Sequence, residues 1–237
     1  MADWKKTLIV LLISGSLSGC SAIDGINNIR INKSIAENYD KTIIEKDLDE
    51  LIEKQEKILK IKHFGKPEIF QMPPILRFSS AASYVAEEDR IYFRIYHKMI
   101  LAHELGHFYP DKLNESFGKG NWPIYEKFPS EFAEGEKGKK MISEGVANYF
   151  GVRTFGDTLY GKKLELKYED FEIYRDSLGI NAFYDVGYLL VKPVLDKNVR
   201  KGVEYLMENT PSDKELKDIF VYRERILRGF EKFMGTK

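Results

Sequence analysis

Apolar residues recur at Ile35, Tyr39, Ile43, Ile44, Leu48, Leu51, Ile52, Ile58, Leu59 and Ile61, with Glu, Asp and Lys between them. Steps of three and four residues predict one amphipathic helix over Ser34–Lys62, either covering a core or standing as a stalk. Lys66-Pro67 closes that region, and Glu68 to Met72 predicts a short strand before Pro73-Pro74. A second strand is signalled by the β-formers of Arg90-Ile91-Tyr92-Phe93-Arg94-Ile95, behind the polar turn Glu87-Glu88-Asp89. A helix is then expected from Tyr96 or His97 to Tyr109, stopped by Pro110. The Gly, Asn and Pro content of 111–129 predicts a surface loop. Beyond it the pattern is helical throughout, at roughly 131–152, 168–178, 181–195, 198–208 and 212–234. The sum is an α+β chain, mostly α, with a small sheet before a central helix and a helical C-terminal part.

The start of the chain follows a different logic. Lys5 and Lys6 precede the apolar run Leu8 to Ile13, and a small-residue stretch ends at Cys20, which is the layout of a secretory signal peptide. Leu17-Ser18-Gly19-Cys20 resembles the lipobox of prokaryotic lipoproteins, in which the cysteine thiol carries the lipid. Read instead as an uncleaved anchor, Thr7 to Ile23 is weakly apolar and shorter than the roughly 20 residues a span needs. The expected organisation is a lipoprotein signal peptide over 1–19, a tether over 20–33, the amphipathic helix over 34–65 and the main domain over 66–237. The expected place is the cell envelope, outside the cytoplasm, with the membrane as a partner through lipid on Cys20.

Composition narrows the function. Of 237 residues, 43% are hydrophobic and 13% aromatic, enough to fill a core. The 37 basic and 37 acidic residues balance, which leaves no electrostatic footprint for nucleic acid. A single cysteine excludes an intramolecular disulfide and a Cys-rich zinc site. Metal chemistry must therefore use His, Asp and Glu.

Those residues meet in His103-Glu104-Leu105-Gly106-His107, an HExxH pattern on the central predicted helix. Residues i and i+4 differ by about 40° around a helix, so both imidazoles project from one face and can grip one ion. Glu104 is turned by about 100° from His103, free to serve as a base without being a ligand. Chance would produce such a match on the order of 0.01 times in a chain of this composition. His97 falls about 240° from His103 around the helix, on the wrong face, and His63 is read as an ordinary surface or core histidine.

A catalytic zinc needs a third protein ligand and an open position. No histidine follows His107, and position 113 is Leu, so the third ligand must be an acid. Asp111 lies beyond the expected helix stop, while Glu131, Glu134 and Glu136 occupy a charged stretch of the kind that faces solvent. Glu144 differs, because Met141-Ile142-Ser143-Glu144-Gly145-Val146-Ala147-Asn148-Tyr149-Phe150 surrounds it with apolar and small residues. A carboxylate so embedded needs a partner, and a metal ion is an adequate one. Gly145 and Ala147 are expected to let this helix lie close to the HExxH helix.

HELGH followed by a helix reading SEGVANYF resembles the gluzincin metallopeptidases, the thermolysin and aminopeptidase N branch of the zincins. The resemblance implies a zincin-like minimal catalytic domain, one Zn²⁺ ion and hydrolysis of a peptide or protein substrate. Carried onto matching positions, His103, His107 and Glu144 are the metal ligands and Glu104 is the general base. Asn148 stands where thermolysin-like enzymes keep an aspartate that orients the first histidine, and here only its amide oxygen can accept a hydrogen bond. Tyr184-Asp185-Val186-Gly187 resembles the Tyr-x-x-Gly segment of the aminopeptidases, implying that Tyr184 offers its hydroxyl to the tetrahedral intermediate. Arg90 to Ile95 would correspond to the edge strand along which zincins align an extended substrate. Rival readings are a catalytically silent, lipid-anchored binding protein on the same scaffold and an amidase acting on non-peptide amides.

Overall fold

In a computed structural model, the described residues are 41–71, 81–93, 96–119, 135–155 and 180–235. The signal, lipobox and tether expected before residue 34, the first turns of the amphipathic helix, the expected helix 168–178, Glu131 and Glu134 lie outside them. The first described element, helix α1 (Lys41–Leu59), turns Ile44, Leu48, Leu51, Ile52 and Leu59 into the core. Its end is a Schellman-type cap: Lys60 takes the left-handed conformation at φ 53° and the Ile61 N–H donates to the Glu56 carbonyl at 3.2 Å. Lysine pays about 1–2 kcal/mol for that conformation where glycine would not.

Three short strands follow, β1 (Glu68–Gln71), β2 (Ala82–Val85) and β3 (Arg90–Phe93), ordered β1-β3-β2. β3 runs parallel to β1 and antiparallel to β2. β2 has no counterpart in the sequence reading, because Ala82 and Ser83 carry no β-forming signal; tertiary burial of Ala82, Ser83 and Tyr84 makes the strand. A 3-10 turn at Ala86–Glu88, closed by Asp89 at φ 53°, joins β2 to β3. The expected edge strand is corrected here. Arg90–Phe93 is paired on both sides, so its backbone is already used and the edge beside the helices is β2.

Helix α2 (Lys98–Ser116) carries the HExxH residues, with the His97 ring accepting from the Met99 N–H at its start. The expected stop at Pro110 does not occur, and part of the expected loop is helix. An interior proline forfeits one hydrogen bond and costs about 3 kcal/mol. Burial of Phe108 and Leu113 on either side, at about 1.5–3 kcal/mol each, outweighs that cost.

Helix α3 (Glu136–Phe155) lies between α2 and α4 (Ile180–Leu195) and also touches α1. Its crossings are unusually close. A Cβ on Gly106 would sit 2.5 Å from the Ala147 carbonyl oxygen, and one on Gly145 would sit 2.3 Å from the Gly187 carbonyl carbon. Of the two small residues expected to face α2, Ala147 does so while Gly145 meets α4. Helices α5 (Val199–Glu208) and α6 (Ile219–Gly235) close the far side, burying Val203, Leu206, Tyr222, Ile226 and Phe230. The helix expected from 212 to 234 is broken by Asp218, whose non-helical backbone separates a 3-10 turn at Glu215–Lys217 from α6. Among the described residues the fold is mostly helical with one small sheet, an α+β arrangement. Among the described residues no helix is long and apolar enough to cross a membrane.

Candidate metal centre

α2 and α3 bring His103, His107 and Glu144 together: one ligand atom from each lies within 4.8 Å of the others, and all three residues are buried. The Glu144 Oε2 atom stands 3.2 Å from His103 Nε2 and 3.4 Å from His107 Nε2. The far side of each ring is occupied. His103 Nδ1 lies 2.9 Å from the Asn148 Oδ1 atom, and His107 Nδ1 lies 3.2 Å from Ser143 Oγ. The Asn148 amide is itself oriented, since its NH2 donates to the Tyr184 carbonyl at 3.1 Å. Its oxygen is thereby left as an acceptor, so His103 must donate from Nδ1. When that ring is neutral, the Nε2 lone pair faces Glu144.

Two imidazole nitrogens and a carboxylate oxygen thus converge, and Glu144 Oε2 is buried with no hydrogen-bond partner. A tetrahedral ion with bonds of about 2.0–2.1 Å has ligand-to-ligand edges of about 3.3 Å, which matches the two Nε2 to Oε2 separations. The group could hold a metal ion. Electrostatics points the same way. Burial disfavours the charged His103 ring, but the Glu144 carboxylate facing its Nε2 and the charge of Glu104 outweigh it and raise its basicity. Burial likewise opposes ionisation of Glu144, yet Lys140 and the two histidines hold it well below the usual carboxylate range. The three converging ligand atoms are arranged to receive positive charge.

Glu104 is buried beside this group without belonging to it. Its Oε2 accepts the backbone N–H of Tyr84, in β2, at 2.9 Å. Burial and the Glu144 charge push its carboxyl above the usual range, against the pull of His103 and His107. Tyr84 is in turn fixed by an edge-on contact with Phe108 and by its hydroxyl, which donates toward Asp89 at 2.9 Å and Asp111 at 3.2 Å. Asp111, considered above as a third ligand, is fully buried on α2 and serves this tyrosine instead. The Tyr184 ring packs 5.7 Å from the His103 ring. Gly187, the last residue of the Tyr-x-x-Gly segment, has a packing reason of its own, the close crossing with Gly145. His97 caps α2 and His63 pairs with Glu56 at the surface, so neither enters the site.

Ser143, Tyr84 and Lys140 were not singled out from sequence. Lys140 stands one helical turn before Glu144, a signal that could have found it; Ser143 reaches His107 across the crossing and Tyr84 acts through its backbone, and neither left one. Lys140 forms an ion pair with Glu144 Oε1 from one turn earlier in α3.

Compared with known proteins, the chain matches no family model, no curated protein and no solved structure. What defines the class is therefore the site: a buried two-histidine, one-carboxylate group able to hold one metal ion, with a second buried carboxylate alongside.

Proposed function

We propose that this chain is a zinc metallopeptidase of the gluzincin type, tethered to a membrane by lipid on Cys20 and acting on a peptide or protein. The single observation that carries the reading is Glu104: a buried carboxylate beside a three-ligand group but outside it. A purely structural metal site has no use for such a residue. Two neutral imidazoles and one carboxylate suit Zn²⁺, and His103, His107 and Glu144 would hold it.

When bound there, zinc would supply Lewis acidity for a carbonyl and for a water whose pKa would fall towards about 7. Glu104 accepts the proton of the attacking water and passes it to the departing amine, a role worth about 10²–10⁴ in rate. Its raised pKa follows from burial and suits both halves of that transfer. Tyr184, packed against His103, offers its hydroxyl to the developing oxyanion. Asn148 and Ser143 hold the two imidazole rings in orientation.

The test is elemental zinc analysis of the full chain together with a quenched-peptide library. One zinc per chain with peptide cleavage is expected, and Glu104→Gln should keep the zinc and lose the cleavage. An active Glu104→Gln protein would refute the mechanism. Zinc without turnover would favour the binding protein, and turnover confined to small amides the amidase. Fractionation of a Cys20→Ser chain checks the tether, since recovery with the membrane would reject lipid attachment at that residue.

A further inference from the structure

Glu144 has two oxygens in unlike surroundings. Oε2 faces the two histidine Nε2 atoms and has no hydrogen-bond partner, while Oε1 is paired with Lys140 Nζ. The pair is not an ordinary surface contact: the Lys140 side chain is 16% exposed and that of Glu144 only 3%. Both belong to α3, one turn apart, so the helix itself sets the lysine beside the carboxylate.

We propose that Lys140 is a positioning residue that makes Glu144 a one-oxygen ligand, occupying Oε1 so that only Oε2 can reach the metal. The inference rests on the metal reading above and deepens it. A carboxylate with both oxygens free can bind an ion through one or through both. Two-oxygen binding would use the coordination position that a catalytic zinc site keeps open. Packing alone does not prevent it, because a carboxylate can turn about its terminal bond at little cost. A cation fixed on one oxygen does. Ser143, next to Glu144, and Asn148, one turn beyond it, orient the histidines in the same way, so α3 supplies a restraint for each of the three ligands.

The full chain, freed of metal and loaded with cobalt(II), is read by X-ray absorption and visible spectroscopy beside Lys140→Met and Lys140→Arg. Lys140→Met keeps the side-chain length but removes the charge, and it should gain one oxygen neighbour and lose several-fold in visible absorption as coordination rises. Lys140→Arg, which keeps a cationic donor, should retain the parent spectrum. If Lys140→Met does not fold, as judged by circular dichroism, Lys140→Gln takes its place. A neutral variant with the parent's spectrum and oxygen count overturns the role of Lys140 while leaving the metal site standing. A parent chain that takes up no cobalt overturns both.

Discussion

Helices α2 and α3 and the segment from Ser212 through α6 handle polar groups in opposite ways. In the first pair, His103, Glu104, His107, Asp111, Glu144 and Asn148 are all buried, each joined to specific partners. In the second, no charged residue is fully buried and most pairs lie at the surface: Arg228 and Glu224 pair while 73% and 70% exposed, and the part-buried Glu215 is held by the more exposed Arg225. Exposed pairs contribute about 0–1 kcal/mol, whereas a buried charge without a partner costs several kcal/mol. The C-terminal pattern is what amphipathic packing alone produces. The α2–α3 pattern is too costly to persist for packing, and that contrast is the physical argument for a site.

Three experiments would break or sharpen it, beginning with the largest effect. Gly106→Ala places a Cβ against the Ala147 backbone, forcing α2 and α3 apart. Destabilisation of roughly 1–3 kcal/mol and loss of most metal affinity are expected, measured by thermal melting and metal titration. A variant with parental melting and affinity would show that the close crossing does not hold the ligands together. Asn148→Ala removes the acceptor that orients His103 but leaves the crossing intact. Metal affinity should fall by about 10–100-fold with little change in fold, and an unchanged affinity would remove Asn148 from the site.

The smallest effect belongs to the C-terminal region. Ser212 and Glu215 form a reciprocal capping box, and Arg225 binds the same carboxylate. Burial resists ionisation of Glu215, but those hydrogen bonds and the Arg225 charge prevail and depress its pKa below 4.5. A depressed carboxylate adds stability above its unfolded pKa and loses it as pH falls through the folded value. The parent should therefore melt up to about 2–4 °C above Glu215→Gln at neutral pH, an advantage of about 1 kcal/mol or less that fades as pH falls through the depressed folded value. A difference that grows in acid would contradict that assignment.

The same contrast explains what could be read in advance. The HExxH pair announces itself because helical spacing alone puts His103 and His107 on one face. Glu144 could be selected because a carboxylate among Ile142, Val146 and Ala147 has no bland explanation. Less local features escaped. β2 is a strand because burial and pairing with β3 make it one, and α2 passes through Pro110 because flanking core contacts exceed the local penalty. The exchange of β3 for β2 as the edge could not be foreseen either, since strand order is a property of three segments at once.

By itself, then, the sequence determined the helical periods, the two-histidine grip and the acid that accompanies it, because these depend on residues a few positions apart. Tertiary structure alone decided how closely α3 crosses α2 and α4, which backbone amide holds Glu104, and which oxygen of Glu144 is left free. Those outcomes depend on distances between segments far apart in the chain, and such distances are set by packing rather than by local spacing.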